Sequence, residues 1–82
     1  MAPLVLSGVR EGAVIKRLPG TTRVMLALQT TGGEGRRWWF INGEPQTAVG
    51  ASATLPLARP DRYQLVVMDE SGQVVTANFT LQ

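Results

Sequence analysis

Arg37-Trp38-Trp39-Phe40-Ile41-Asn42-Gly43-Glu44-Pro45 reads as a buried strand that runs straight into a tight turn. Both tryptophans of the chain and one of its two phenylalanines fall in this run. Asn-Gly is a strong hairpin signal, because both residues tolerate the positive φ that a type I′ turn demands. Neighbouring strand residues point to opposite faces, so the two indoles part company. Trp39 shares a face with Ile41 and is assigned to the core. Trp38 shares the other face with Phe40, and this pair is a candidate exposed aromatic patch unless neighbouring loops cover it. Arg36 and Arg37 stand beside Trp38. The candidate interaction surface is therefore Trp38, Phe40, Arg36 and Arg37.

Outward from this stretch the chain is a series of short β-rich runs separated by turn residues. Residues 4–6 and 13–17 are short strands, and 22–30 is a long one in which Val24, Leu26 and Leu28 alternate with more polar partners. Residues 44–46 can pair back briefly after the Asn42-Gly43 turn. Residues 52–55 form a further strand, and 56–60, bounded by two prolines, a connection. Residues 62–68 and 73–81 make a long hairpin expected beside the tryptophan-bearing strand. No window keeps a helical apolar period free of Gly or Pro. The predicted fold is all-β: an immunoglobulin-like two-sheet sandwich of about seven short strands, in one domain covering residues 1–82. Its expected core is Leu26, Leu28, Trp39, Ile41, Tyr63, Leu65, Val67, Ala77 and Phe79. Asp61-Arg62-Tyr63-Gln64-Leu65 has the form of a tyrosine corner, in which the phenol bonds to backbone upstream.

Composition removes most chemistry. The 82 residues include no histidine and no cysteine. Disulfides, Cys/His zinc sites and histidine-activated nucleophiles are thereby excluded. The lack of cysteine in so small a domain favours a reducing compartment without excluding a periplasmic one. The net charge is only +2, and the seven arginines are scattered along the sequence rather than massed. A nucleic-acid surface needs clustering, so no nucleic-acid partner is expected. Ser7, Ser52 and Ser71 lack a base, and the one lysine, Lys16, reads as a solvated edge charge. Asp69-Glu70-Ser71-Gly72 is a turn, without the alternating oxygen ligands of a calcium loop. Gly32-Gly33-Glu34-Gly35 has no following Lys-Ser/Thr and no helix, so it is a flexible connector and not a phosphate loop. Catalytic, cofactor-binding and metal-binding residues are all expected to be none. No apolar run approaches a membrane span, no signal peptide is visible, and the start reads as a boundary cut from a longer protein.

Four segments in order carry a resemblance. They are Ser7-Gly8-Val9-Arg10-Glu11-Gly12-Ala13-Val14-Ile15, Trp39 to Pro45, Pro60-Asp61-Arg62-Tyr63-Gln64-Leu65, and Val67-Met68-Asp69-Glu70-Ser71-Gly72-Gln73. Together they resemble the C-terminal domain of bifunctional penicillin-binding proteins of the 1C type, over nearly the whole chain. Val9-Arg10-Glu11 departs from the family's Pro-Ala-Asp. The resemblance implies a parent protein with glycosyltransferase and transpeptidase domains, anchored in the inner membrane and building peptidoglycan in the periplasm. The transpeptidase motifs Ser-x-x-Lys, Ser-x-Asn and Lys-Thr-Gly do not occur here. The implied role is a non-catalytic accessory domain that contacts cell-wall synthesis proteins or its own transpeptidase domain, the membrane being reached only through the parent's anchor. The alternative is a module that binds peptidoglycan itself.

Overall fold

The computed structural model describes residues 2–82. Eight strands follow in chain order: β1 (Val5–Ser7), β2 (Ala13–Ile15), β3 (Val24–Thr31), β4 (Arg37–Ile41), β5 (Glu44–Pro45), β6 (Ser52–Leu57), β7 (Asp61–Asp69) and β8 (Val74–Leu81). They form a three-stranded sheet of order β1-β3-β6 and a five-stranded sheet of order β2-β8-β7-β4-β5. This is a two-sheet β-sandwich, laid out as in immunoglobulin domains with the tryptophan strand in the larger sheet. Asn42 (φ 49°) and Gly43 (φ 82°) make the left-handed pair expected of the β4–β5 turn.

The alternation in β3, β6, β7 and β8 drives the two sheets together. Leu26 and Leu28 from one side meet Trp39, Leu65, Val67, Ala77 and Phe79 from the other. Ile41 and Tyr63 only half-bury against this core, at its margin. Leu4, Val9, Ala53, Leu55, Leu57 and Leu81 complete it. Residues 56 and 57 extend β6 beyond the proline expected to end it: Pro56 lies opposite Met25. A proline is tolerated here because β6 is an edge strand, where a missing N–H leaves no inner ladder bond unmade.

The N-terminal segment serves both sheets. β1 pairs antiparallel with β3, and β2 pairs parallel with β8, which local patterning does not reveal. Gly8, at φ 108°, permits the crossing: any Cβ there would collide with the Ala27 carbonyl oxygen.

The tyrosine corner is present. The Tyr63 hydroxyl donates to the Arg59 carbonyl at 2.6 Å, and its ring stacks on Phe79 with centroids 5.6 Å apart. Tyr63→Phe keeps the stack and removes the bond, so urea unfolding should show a loss of about 1 kcal/mol. A loss below the error of the fit would mean the corner holds by packing alone.

Candidate interaction surface

Strand β4 sorts its side chains between interior and surface. Trp39 is 1% exposed, and its indole N–H donates to the Gly50 carbonyl at 3.0 Å. Trp38, on the opposite face, is 38% exposed; Phe40 is half-buried. Register decides what surrounds them. Trp38 lies opposite Met68, which in turn lies opposite Val74; Phe40 lies between Val66 and Pro45. The outer face of the five-stranded sheet thus carries one continuous apolar patch of Trp38, Phe40, Val66, Met68 and Val74. Sequence reasoning singled out Trp38 and Phe40 but not the other three. Their signal was the shared parity of Val66 and Met68 within β7, which gains meaning only once β7 is known to lie beside β4. Arg36 is exposed at the end of the patch. The outer face of the smaller sheet is different: exposed Met25 lies opposite Pro56, and Ala27, Thr54, Gln29 and Ser52 separate it from exposed Val5.

Arg37 does not belong to this surface. It is 5% exposed and faces the interior, on the side of Trp39. Its Nε donates to Thr30 Oγ1 at 3.0 Å, one Nη to the Gly35 carbonyl at 2.9 Å, and the other to the Gly32 carbonyl. Parity with Trp39 is the physical reason: residues 37 and 39 project to the same side of a strand. The buried charge persists because each arm of the guanidinium finds an oxygen.

Asp69 faces Arg37 across Gly33 and is 2% exposed. Its Oδ1 accepts from the Ser71 hydroxyl (2.7 Å) and from the N–H groups of Gln73 (2.9 Å) and Ser71 (3.0 Å). Its Oδ2 accepts from the Glu34 N–H at 3.0 Å and the Gln73 amide at 3.2 Å. The glycine-rich loop, expected to be a free connector, is therefore tied down by one cation and one anion. Gln73 also accepts from the Leu4 N–H at 3.0 Å, and the Gly33 N–H donates to the Ala2 carbonyl at 3.0 Å. The N-terminal segment is fastened to the same end of the sandwich.

Burial pushes the Asp69 carboxyl up, but the hydrogen bonds from Ser71, Gln73 and Glu34 outweigh it and hold the group below its ordinary value of 3.8. A depressed carboxylate stabilises the fold in full above the unfolded-state pKa, and that contribution drains away as pH falls toward the folded value. Urea midpoints should accordingly hold down to about pH 5 and fall as the pH drops toward and below 3.8. Asp69→Asn should be less stable at neutral pH, because an amide nitrogen at Oδ2 would meet the Glu34 N–H donor to donor. It should also show a flatter acid limb; an unchanged limb would assign the acid sensitivity to other carboxyls.

Fold and surface together define a small immunoglobulin-like β-sandwich module whose distinguishing face is apolar and aromatic. Among the described residues no three His, Cys, Asp or Glu side chains gather as metal ligands, and no helix is long and apolar enough to cross a membrane. The chain belongs to the Penicillin-Binding Protein C-terminus Family, whose model matches residues 1–79. It is 55% identical over 80 residues to penicillin-binding protein 1C of Escherichia coli (strain K12), an alignment covering 98% of this chain and 10% of that protein. The chain thus spans about a tenth of the length of this curated relative. No solved structure matches it.

Proposed function

We propose that this domain is a non-catalytic accessory module of a peptidoglycan synthase, lying at the C-terminal end of a larger, membrane-anchored protein and working in the periplasm. It positions the synthase by protein contact, either with other cell-wall synthesis proteins or with the synthase's own transpeptidase domain. Family membership supports the setting. The observation that carries the contact role is the apolar face: Trp38 stands exposed in a row with Met68 and Val74, beside Phe40 and Val66. A soluble domain rarely leaves such residues contiguous unless something covers them. The exposed Trp38 makes a natural anchor, since tryptophan is over-represented among residues that dominate binding.

Capture of periplasmic proteins and of the purified transpeptidase domain on the immobilised 82-residue chain tests this. Trp38→Ala should weaken the captured partner's affinity tenfold or more while leaving the urea midpoint nearly unchanged. Equal recovery by both proteins would remove this face from the contact.

A second reading is kept by one feature: Arg36 remains exposed next to Trp38. An indole face with a neighbouring guanidinium can stack on a sugar ring and meet its carboxylate, as binding of peptidoglycan strands requires. Tryptophan fluorescence titrated with muropeptides separates the two; a flat response at millimolar ligand excludes it.

A further inference from the structure

The outer face of the five-stranded sheet has a second half. Past Val66 the outward positions of β7 and β8 become Gln64, Arg62, Asn78 and Thr80, with Gln64 opposite Asn78 and Arg62 opposite Thr80. These residues line an open cavity of about 450 Å³, closed at its sides by Asn42 of the β4–β5 turn and by Gly12. Tyr63 and Phe79 also line it, and its polar groups are a guanidinium, three amides and a hydroxyl.

The hydrogen bonds show which of these groups are committed. Asn42 Oδ1 accepts from the Gln64 N–H at 2.8 Å, so Asn42 is a fixed wall. The Asn78 Nδ2 donates to both oxygens of Glu11, at 3.3 and 3.2 Å, and Glu11 Oε1 also accepts from the Asn78 N–H at 2.9 Å. Asp61 Oδ1 is turned onto the Arg62 N–H at 2.7 Å, not onto its guanidinium. The Arg62 guanidinium and the Gln64 amide have no partner among the described residues. The cavity therefore offers an uncommitted planar cation and an uncommitted amide from residues two apart on one strand, their Cα atoms about 7 Å apart.

We propose that this cavity is a binding site for a carboxylate that lies next to an amide, the chemistry of an N-acylated amino acid or peptide end. Arginine meets a carboxylate with two parallel N–H···O bonds, and a primary amide pairs with the ligand's amide through one donor and one acceptor. The site is separate from the Trp38 patch and does not depend on the protein-contact reading. Glu11, bonded to Asn78 of the lining, sets an electrostatic limit: a second anion near it is opposed, so removing that charge tightens binding.

Amide chemical shifts of the 82-residue chain, followed on titration with N-acetyl-alanyl-alanine and with N-acetylmuramic acid, each against its carboxamide, test this. At least one of the two acids should move the amides of Arg62, Gln64 and Thr80 and not those of Trp38 and Met68, and its carboxamide should bind tenfold more weakly or worse. Which acid binds more tightly tells whether the ligand is a peptide end or a sugar-borne carboxylate. Arg62→Gln should weaken binding at least tenfold with an unchanged unfolding midpoint. Glu11→Gln, which keeps an acceptor for Asn78, should tighten it several-fold. Flat titrations with both acids, equal binding of the carboxamides, or indifference to Arg62→Gln would each overturn the assignment.

Discussion

Trp39→Ala is expected to lower the unfolding free energy by about 3–5 kcal/mol, the range for emptying a large aromatic site in a core. The indole is 1% exposed, lies opposite Val67, and reaches the Gly50 carbonyl with its N–H. Its removal takes contacts from both sheets at once, since Leu26 and Leu28 stand in the same core as Val67. A chain of this length has about 4–12 kcal/mol of total stability, so the variant should be largely or partly unfolded at 37 °C. Urea titration followed by far-UV circular dichroism measures the effect. Trp39→Phe separates the terms: it restores most of the packing and forfeits the bond to Gly50, at a cost of about 1–2 kcal/mol. A loss under 1 kcal/mol for Trp39→Ala would mean that the two sheets are not held together at this residue.

Arg37→Ala is the second large effect, expected at about 3–5 kcal/mol, the range for stripping one charged member from a buried polar network. A surface arginine would cost within about 0.5 kcal/mol, so the experiment discriminates sharply between the two placements of this residue. Three oxygens lose their donor: Thr30 Oγ1 and the carbonyls of Gly32 and Gly35. Asp69 also loses the cation facing it across Gly33. The loop at residues 32–35 should then open, with faster hydrogen exchange at Glu34 than at β7 or β8. Arg37→Lys retains a charge but cannot span three acceptors with one ammonium, and should sit between wild type and alanine. An alanine variant as stable as wild type would show that water replaces the guanidinium without penalty.

The two residues differ in how plainly the sequence announces them. Trp39 was legible because an alternating strand ending in Asn-Gly leaves one face for the interior. Arg37 was equally legible by parity, two positions before Trp39. Adjacency to Trp38 groups it with the surface, but adjacent strand residues point to opposite faces, and that adjacency carries no shared direction. The partners that justify its burial, Thr30 and the carbonyls of a loop, are not visible in the run that contains it. Pro56 likewise depends on non-local structure: a proline ends an inner strand but not an outer one, and which strand lies at the edge is a property of the whole sheet.

The sequence by itself determined the all-β class, the β4–β5 turn, the β7–β8 hairpin, the tyrosine corner and the interior position of Trp39. Each follows from side-chain alternation or turn chemistry, which act over a few neighbouring residues. Only the tertiary structure decided that β2 runs parallel to β8, that Arg37 and Asp69 lock the glycine loop, and that Trp38 shares a patch with Met68 and Val74 while Arg62 and Gln64 share a cavity. Those arrangements arise from register between strands distant in the chain, and side-chain period within a strand carries no information about which strand will lie next to it.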